Sequence, residues 1–537
     1  MALVINTNLN SIKAQINLDR TQSSLSTSLQ RISSGLRINS PRDDAAGLAI
    51  SQRLTSQIGK LGQAVKNAND GISLAQSATG ALQEISTALQ KIQELATQAN
   101  NGSISPTDRN LLQTQVVKLN EGIGQIAEDA EFNGQKVLTG NIVNAEFQVG
   151  LRAEQSVRVT IPLTAAASIG NYSIRTDNAR ARAIGAASPG TEQGVAPKNL
   201  VLDQTLTIRG SSSDRSGTVV GVELEETAKS IAQKINAVEG LTGVTAVANT
   251  FATLGGDTLE EGIYDIAASK EQNISFNLYG TNVRGDDSSN AVFISARITS
   301  NTKEGLLDLV TAINNKTTST GIRASFITEI NDEGREITKI ALENGGADIG
   351  IEKFRNDPVG ESTGVDATAL KVKGLPGTQD VTLTEDTDTD SVTVGGTVTL
   401  NSAKAFTATS GADEESSLFS RGFLDIAQTA DFAALSFVNV STEEGAKKAI
   451  VTAASALDFV SSLLGDLGAI QNRFESTISN LGSVQENTQT ARSRILDADF
   501  AQETANLTRA QVLQQAGIAI LAQANTTPQA VLALLRT

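Results

Sequence analysis

The sequence predicts a multidomain chain: an α-helical coiled-coil core made from paired N- and C-terminal segments, with β-rich and α+β outer domains inserted between them. Three observations carry this. Apolar residues recur at helical spacing from Leu18 to about Ile126 and again from about Ile450 to the end. The long middle alternates in strand fashion, with frequent Gly, Asn and Asp turns. The 537 residues exceed what a single core organises.

In chain order, the first stripe is Leu18, Leu25, Leu29, Ile32 and Leu36, and Gly35 breaks it from the bundle helix. The segment NSPRDD then reads as a helix start, with Ser40 as N-cap, Pro41 at the first helical position and Asp43 three residues after the cap. A heptad seam runs on through Leu54, Ile58, Leu61, Val65, Ala68, Ile72 and Ala75. It resumes after one short step at Ala78, Leu82, Ile85, Leu89 and Ile92, a stammer just before Gly80. At about 1.5 Å per residue, a helix from Asp43 to Asn100 extends roughly 85 Å. SISPTDRN repeats the start signal with Ser105, Pro106 and Asp108, opening a helix that carries Leu112, Val116, Leu119, Ile123 and Ile126, with Gly102 as the C-cap before it.

In the middle, two segments share a short amphipathic helix ending in Ile-Asn (Ile235-Asn236 and Ile313-Asn314). A Gly follows eight residues after each Ile (Gly243 and Gly321), and strand pairs precede each helix (Leu206 to Ile208 with Thr218 to Leu224, and Ile274 to Leu278 with Ala291 to Ile298). They read as two small α+β modules. After Asp357-Pro358 the chain is acidic and β-patterned, a third element packed against the others. Ile450, Ala453, Leu457, Val460, Leu464, Leu467, Ile470 and Phe474 form the returning helical seam, whose natural partners are the N-terminal seams in an antiparallel bundle. The final stripe runs through Leu507, Leu513, Gly517, Ile520, Leu521, Leu532 and Leu535, with small residues between. Each buried Leu or Ile contributes about 1.5–3 kcal/mol, so two such stripes call for partners, and a surface satisfied by head-to-tail copies builds an open helical filament.

Composition excludes much else. Net charge is −16, aromatics are 3% and Trp is absent, so nucleic-acid binding has neither a basic field nor a stacking platform. With no Cys and no His there are no disulfides, no Ser-His-Asp or Cys-His triads and no H-E-x-x-H zinc site, so no enzyme, cofactor or metal is expected. MALVINTNLNSIKAQ lacks the pattern of a cleaved Sec signal, and no apolar run approaches a membrane helix, so no membrane insertion is expected.

LQRISSGLRINSPRDDAAGLAI (Leu29 to Ile50) together with SRILDADFAQETANLTRAQVLQQAGIAILAQANTTPQAVLALL (Ser493 to Leu535) closely resembles bacterial flagellin, over roughly the first 165 and last 100 residues. The resemblance implies a homo-polymer, the secreted extracellular flagellum filament used for swimming. Residues 1–42 and 495–537 would form the innermost tube, 43–163 and 435–494 an outer-tube bundle with a β-hairpin, and 164–434 a surface region. That region would divide into 190–268, 269–358 and 359–434. It further implies terminal segments that order on assembly, export through the flagellar type III apparatus with its chaperone, and contacts with hook-associated junction and cap proteins. Arg31, Gly35, Asn39, Ser40, Pro41 and Asp43 match the bend between tubes. FQVGLRAEQSVRVTIP matches the hairpin, with Phe147 and Val149 facing Val157, Val159 and Ile161. A toll-like receptor contact maps to Lys91, Leu95, Gln98 and Gln115. Lys91 replaces the usual Arg and Gln115 the usual Glu, losing a bidentate fork and a charge, so recognition is expected to be weakened. The alternative is a junction protein of the same superfamily, whose termini diverge from the segments quoted.

Four motifs carry little. Arg284-Gly285-Asp286 is a chance tripeptide, and Asp386 to Ser391 lacks the position-twelve Glu of a calcium loop and reads as a solvated acidic turn. Asn315 to Gly321 offers hydroxyls for O-glycosylation without requiring it, and Asn171 to Ser173 presupposes a eukaryotic secretory route.

Overall fold

The computed structural model describes residues 7–176, 185–210, 216–256, 263, 271–282, 290–330, 336–358, 369–374, 380–385, 387–414, 416–420 and 426–534; side chains of 357–358 and 527–534 are outside the description. The chain forms two compact units. The first comprises Met1–Gly80, Ala130–Pro162 and Leu464–Thr537; the second comprises Ala81–Asp129 and Leu163–Leu463.

In the first unit, α1 (Leu9–Ser34) pairs with α9 (Phe500–Leu534). Asn8 caps α1 by accepting from Ser11 N at 3.1 Å, and Gly35 ends it in the left-handed region at φ 71°, its N–H bonded to Arg31 O. The helix α2 (Ala45–Ala99) begins in this unit, and α8 (Glu443–Leu496) ends in it. They run antiparallel: Leu61 and Ala64 pack on Leu481, Gly71 faces Phe474, and Gln471 Nε2 reaches Thr79 Oγ1 at 3.4 Å. Gly71 is required there, because a Cβ would stand 2.5 Å from the Phe474 ring. That ring also meets Phe147 edge-on at 5.7 Å. Phe147 belongs to the expected hairpin, Ile142–Gln148 with Ser156–Ile161, where Phe147 opposes Val157 and Ile142 opposes Ile161.

The second unit takes the rest of α2, where Leu82, Ile85, Leu89 and Ile92 are all fully buried, together with α3 (Pro106–Asp129), whose Val116 and Ile123 are buried. The division at Gly80 coincides with the stammer, where one seam gives way to the next. Ser105 caps α3 as expected, accepting from Asp108 N at 3.2 Å and donating to Asp108 Oδ2 at 2.7 Å. Gly102, by contrast, does not cap α2. Arg109 does, donating from Nε to Ala99 O at 2.8 Å and from Nη2 to Asn101 O at 3.2 Å. Gln113 and Asn120 of α3 hold the chain entering α8, through Val438 O, Val440 N and Leu435 O. Thr442 caps α8, accepting from Gly445 N at 3.1 Å. By length and composition part of α8 could span a membrane, contrary to the expectation from sequence. Its Ala446, Ala449, Ala453, Ala456 and Val460 are instead packed inside this unit.

The two modules of the middle share one local device. After α4 (Ala228–Asn236) and the short α5 (Glu239–Thr242), Asn236 exchanges two hydrogen bonds with the Ala246 backbone, at 2.9 and 2.6 Å. After α6 (Leu307–Asn314) and the short α7 (Thr317–Thr320), Asn314 does the same with Ala324, at 2.9 and 2.8 Å. Both following glycines, Gly243 and Gly321, adopt positive φ. The preceding hairpins pair as expected, Leu206 with Val220 and Phe276 with Ile294.

The stretch 359–434 is not a separate third element. Val392–Val394 joins the five-stranded sheet of the second module beside Ile349–Pro358. Thr407–Ser410 pairs with Gln204–Arg209 of the first, and Thr397–Ser402 lies between Thr245–Leu254 and Gly170–Arg175. The ten-residue strand Thr245–Leu254 serves both cores, giving Ala246 to one and Ala252 and Leu254 to the other.

Asp390 of the acidic turn is buried, not solvated; it accepts from Gly194 N at 2.9 Å and Ser391 Oγ at 2.6 Å. Of the hydroxyls in Asn315 to Gly321, Thr317 and Thr320 donate to backbone carbonyls, leaving Thr318 and Ser319 exposed. Asn171 is also buried, donating to Asn401 Oδ1 at 2.7 Å. Arg284-Gly285-Asp286 lies outside the described residues.

Candidate assembly surface

The terminal helices meet through an unusual seam. Along the seam the covered residues are Ser11, Ala14, Leu18, Thr21, Leu25, Ser28 and Ile32 on α1, and Glu503, Leu507, Ala510, Gln514, Gly517, Leu521 and Ala524 on α9. Steps of three and four join them, as in a coiled coil, but most members are small or polar. Gly517 permits the close approach, since a Cβ there would lie 3.3 Å from Leu18 Cδ1. Polar side chains lock the register: Asn8 donates to Ala524 O at 2.8 Å, Ser11 to Asn525 at 2.9 Å, and Gln514 to Gln22.

The predicted C-terminal stripe is therefore split. Gly517 and Ala524 face α1, whereas Leu513 and Ile520 point to solvent at 52% and 60% exposure. They flank the seam, each one position, or about 100° of rotation, from a covered residue. Val512 and Ile518 are exposed beside them, and α1 exposes Leu9, Ile12, Ile16 and Leu29. Ile32, Leu36, Leu507 and Leu521 are half-buried; Leu532 lies in α9 with its side chain outside the description, and Leu535 lies outside the described residues. Such a hairpin fills much of its seam with small and polar residues and leaves a row of large apolar ones available, unlike a self-contained helical pair.

At the far end of the seam Glu503, nearly buried, accepts from Arg31 Nη1 at 2.9 Å and from Ser28 Oγ at 3.1 Å. The Arg31 guanidinium, followed by Ser28 and Asn506, holds the carboxyl below the usual range.

The bend joins two strands of chain. Arg37 N donates to Leu496 O at 2.6 Å and its Nη2 to Ile495 O at 2.7 Å, while Ala498 N donates to Gly35 O. Asn39 closes the turn by donating to Leu36 O, and Pro41 is exposed within it. Ser40 is not the cap of α2. Asp43 folds back to accept from Asn39 N, Ser40 N and Ser40 Oγ, which lowers its pKa, the Ser40 amide first. Asp44 caps the helix instead, accepting from Gly47 N at 2.8 Å. Sequence reasoning missed Glu503 and the segment Leu496–Asp499; the signal was present in LDADF, where Asp499 caps α9 by accepting from Ala501 N and Gln502 N.

Of the receptor-matched residues, Lys91 is exposed and paired with Glu94 at 2.7 Å, and Gln98 and Gln115 are exposed. Leu95 is not on the surface: it is 4% exposed and part of the helical core.

Terminal helices that pair largely through small and polar residues and keep a row of large apolar side chains outside define a subunit that completes its packing against other chains. The family model for the bacterial flagellin N-terminal helical region matches residues 5–142, and that for the bacterial flagellin C-terminal helical region matches 450–535. B-type flagellin of Pseudomonas aeruginosa is 36% identical over 544 residues, and a flagellin of Salmonella typhimurium 32% over 553, each alignment covering 100% of both chains. Among solved structures, FliC from Burkholderia pseudomallei is 16% identical with a TM-score of 0.28, covering 75% of this chain and 99% of that one. The chain belongs to the bacterial flagellin family.

Proposed function

We propose that this chain is the structural subunit of a bacterial flagellar filament, polymerising head to tail into the helical propeller of a swimming cell. The observation that carries the reading is the exposed apolar row of α1 and α9, Leu9, Ile12, Ile16, Leu29, Leu513, Ile518 and Ile520, flanking a seam of small residues. Burying each between neighbouring copies contributes about 1.5–3 kcal/mol as an upper value, enough in sum to drive assembly. Residues 1–42 and 495–537 would line the inner tube, 43–163 and 435–494 the outer tube, and 164–434 the filament surface.

On this reading the subunit is secreted and extracellular, leaves through the flagellar type III apparatus with its chaperone, and meets hook-associated junction and cap proteins at the filament ends. No catalytic role is proposed, in keeping with a chain that lacks His and Cys. Toll-like receptor recognition through Lys91, Gln98 and Gln115 would be weak, because Lys91 is engaged by Glu94 and Leu95 is covered. The junction-protein alternative has less support, since relatives aligned along the entire chain are flagellins. The test is seeded growth: purified chain added to filament fragments should extend them into long filaments, and a chain lacking Ala501 to Thr537 should not. Short caps, or a full chain that stays monomeric with ordered termini, would overturn the proposal.

A further inference from the structure

The eight-stranded sheet of the second unit ends at strand Arg323–Ile330, which pairs along its length with Glu336–Asn344 on one side only. Asn314 reveals which backbone groups face the other side. Its amide bonds both the N–H and the C=O of Ala324, so the backbone of Ala324 points away from Glu336–Asn344. The register has no bulge, and hydrogen-bonding direction alternates along a strand, so the backbones of Phe326, Thr328 and Ile330 point the same way. None of the three has a hydrogen bond on that side among the described residues.

The first module shows what such an edge receives when it is complete. There Asn236 holds Ala246 in the same manner. Strand Thr397–Ser402 lies on the opposite side of Thr245–Leu254, so the side held by Asn236 is the one that goes on to pair with Glu336–Asn344, from Thr250 opposite Asn344 to Leu254 opposite Ile340. Counted from the asparagine contact, Thr250 and Ala252 correspond to Thr328 and Ile330. The repeat therefore has a strand partner where the second module has none.

The side chains agree. Phe326, Thr328 and Ile330 share a face. Ile330 is 76% exposed, whereas Ala252 at the matching position is fully buried. From Phe326 to Ile330 the edge carries neither Lys nor Pro, residues that commonly blunt an open strand.

We propose that this edge pairs with the same edge of a second copy of the chain, antiparallel about a twofold axis through Thr328. Asn314 closes the edge at Ala324, so the open length is short and centres on Thr328. In this register each Thr328 stands opposite its counterpart and each Phe326 opposite the other copy's Ile330. Up to about six backbone hydrogen bonds form, and both exposed isoleucines gain an aromatic cover. An extended foreign peptide would satisfy the backbone, but a second copy also supplies Phe326 to Ile330 and Ile330 to Phe326 at once. The contact is isologous, unlike head-to-tail assembly through the terminal helices, and stands independently of it.

The chain has no Cys, so single cysteines report the contact. Paired Cα atoms in this register lie about 5.5 Å apart, within disulfide reach. The test uses full-length variants, unseeded and below the concentration that sustains filament growth, so that the terminal helices take no part. Under mild oxidation Thr328→Cys should form covalent dimers at least about tenfold faster than Ser295→Cys, an exposed position on strand Val292–Ile298, because pairing replaces random collision. The unaltered chain should show dimers in sedimentation equilibrium. Thr328→Pro should abolish them while remaining folded by thermal melting, since the N–H it removes is unbonded in the single chain. Equal cross-linking at the two cysteine positions, an unaltered chain that sediments only as monomer, or dimers that persist in folded Thr328→Pro would each overturn the proposal.

Discussion

Replacing Glu503 with Ala tests whether the α1–α9 seam contributes to assembly. The carboxylate accepts from Arg31, whose side chain is 30% exposed, and from buried Ser28; its own side chain is 9% exposed. A hydrogen bond to a charged partner contributes about 1.5–3 kcal/mol, and water can reach Arg31 after the loss, so about 2 kcal/mol is expected. At 1.4 kcal/mol per decade this is about 30-fold. The readout is the lowest monomer concentration that sustains seeded growth at neutral pH, which should rise about 30-fold. Arg31→Ala should cost a similar amount, and the double variant no more than about the worse single one, because both remove one interaction. The sign with pH comes from the lowered carboxyl. The contribution is fully present above the usual value of 4.5 and is lost as pH falls through the lowered one, so Glu503→Gln should remove that acid dependence. An unchanged threshold in Glu503→Ala, or two single effects that simply add, would refute the reasoning.

Other positions give independent checks. Gly71→Ala places a Cβ 2.5 Å from the Phe474 ring and should destabilise the first unit by about 1–3 kcal/mol in calorimetric unfolding. Asp348→Asn should act in the opposite direction. Its carboxyl is raised from 3.8 to about 6, so the folded state binds the extra proton and stability declines as pH rises through that window. The neutral amide should therefore raise stability at pH 7.5 by on the order of 2 kcal/mol and flatten the pH profile of the second unit. Asn236→Ala and Asn314→Ala each strip two hydrogen bonds from a strand backbone, and each should cost about 2 kcal/mol by denaturant titration.

The helical ends were legible because their grammar is local. Ser105-Pro106 with Asp108 reads directly as a cap, and the seam Leu82, Ile85, Leu89 and Ile92 reads as a buried face. Ser40-Pro41 with Asp43 carries the same grammar, but an adjacent Asp44 competes, and Asp43 is consumed by the amides behind it. The terminal stripe was legible as a helical face, but not its split between Gly517 on the α1 seam and Leu513 and Ile520 on the exposed side. Leucines mark a seam in most coiled coils, whereas here Ala510, Gly517 and Ala524 do. Glu503 was passed over because a single acid on a helix says nothing of its partner far along the chain, Arg31. The modules were legible through Ile235-Asn236 and Ile313-Asn314, but strand order was not. Thr397 pairs with Asn249, 148 positions away, and no local periodicity encodes such a partner.

The strand Thr245–Leu254 bears on how this surface can be re-engineered. Its first half is woven into one module and its second half into the other. Neither can be exchanged for foreign sequence as a cassette, because removing one strips a wall from its neighbour. Peptide display on this chain is better sited in the connections between adjacent strands, and wholesale replacement must take both modules together with the strands from 359–434 that stitch them.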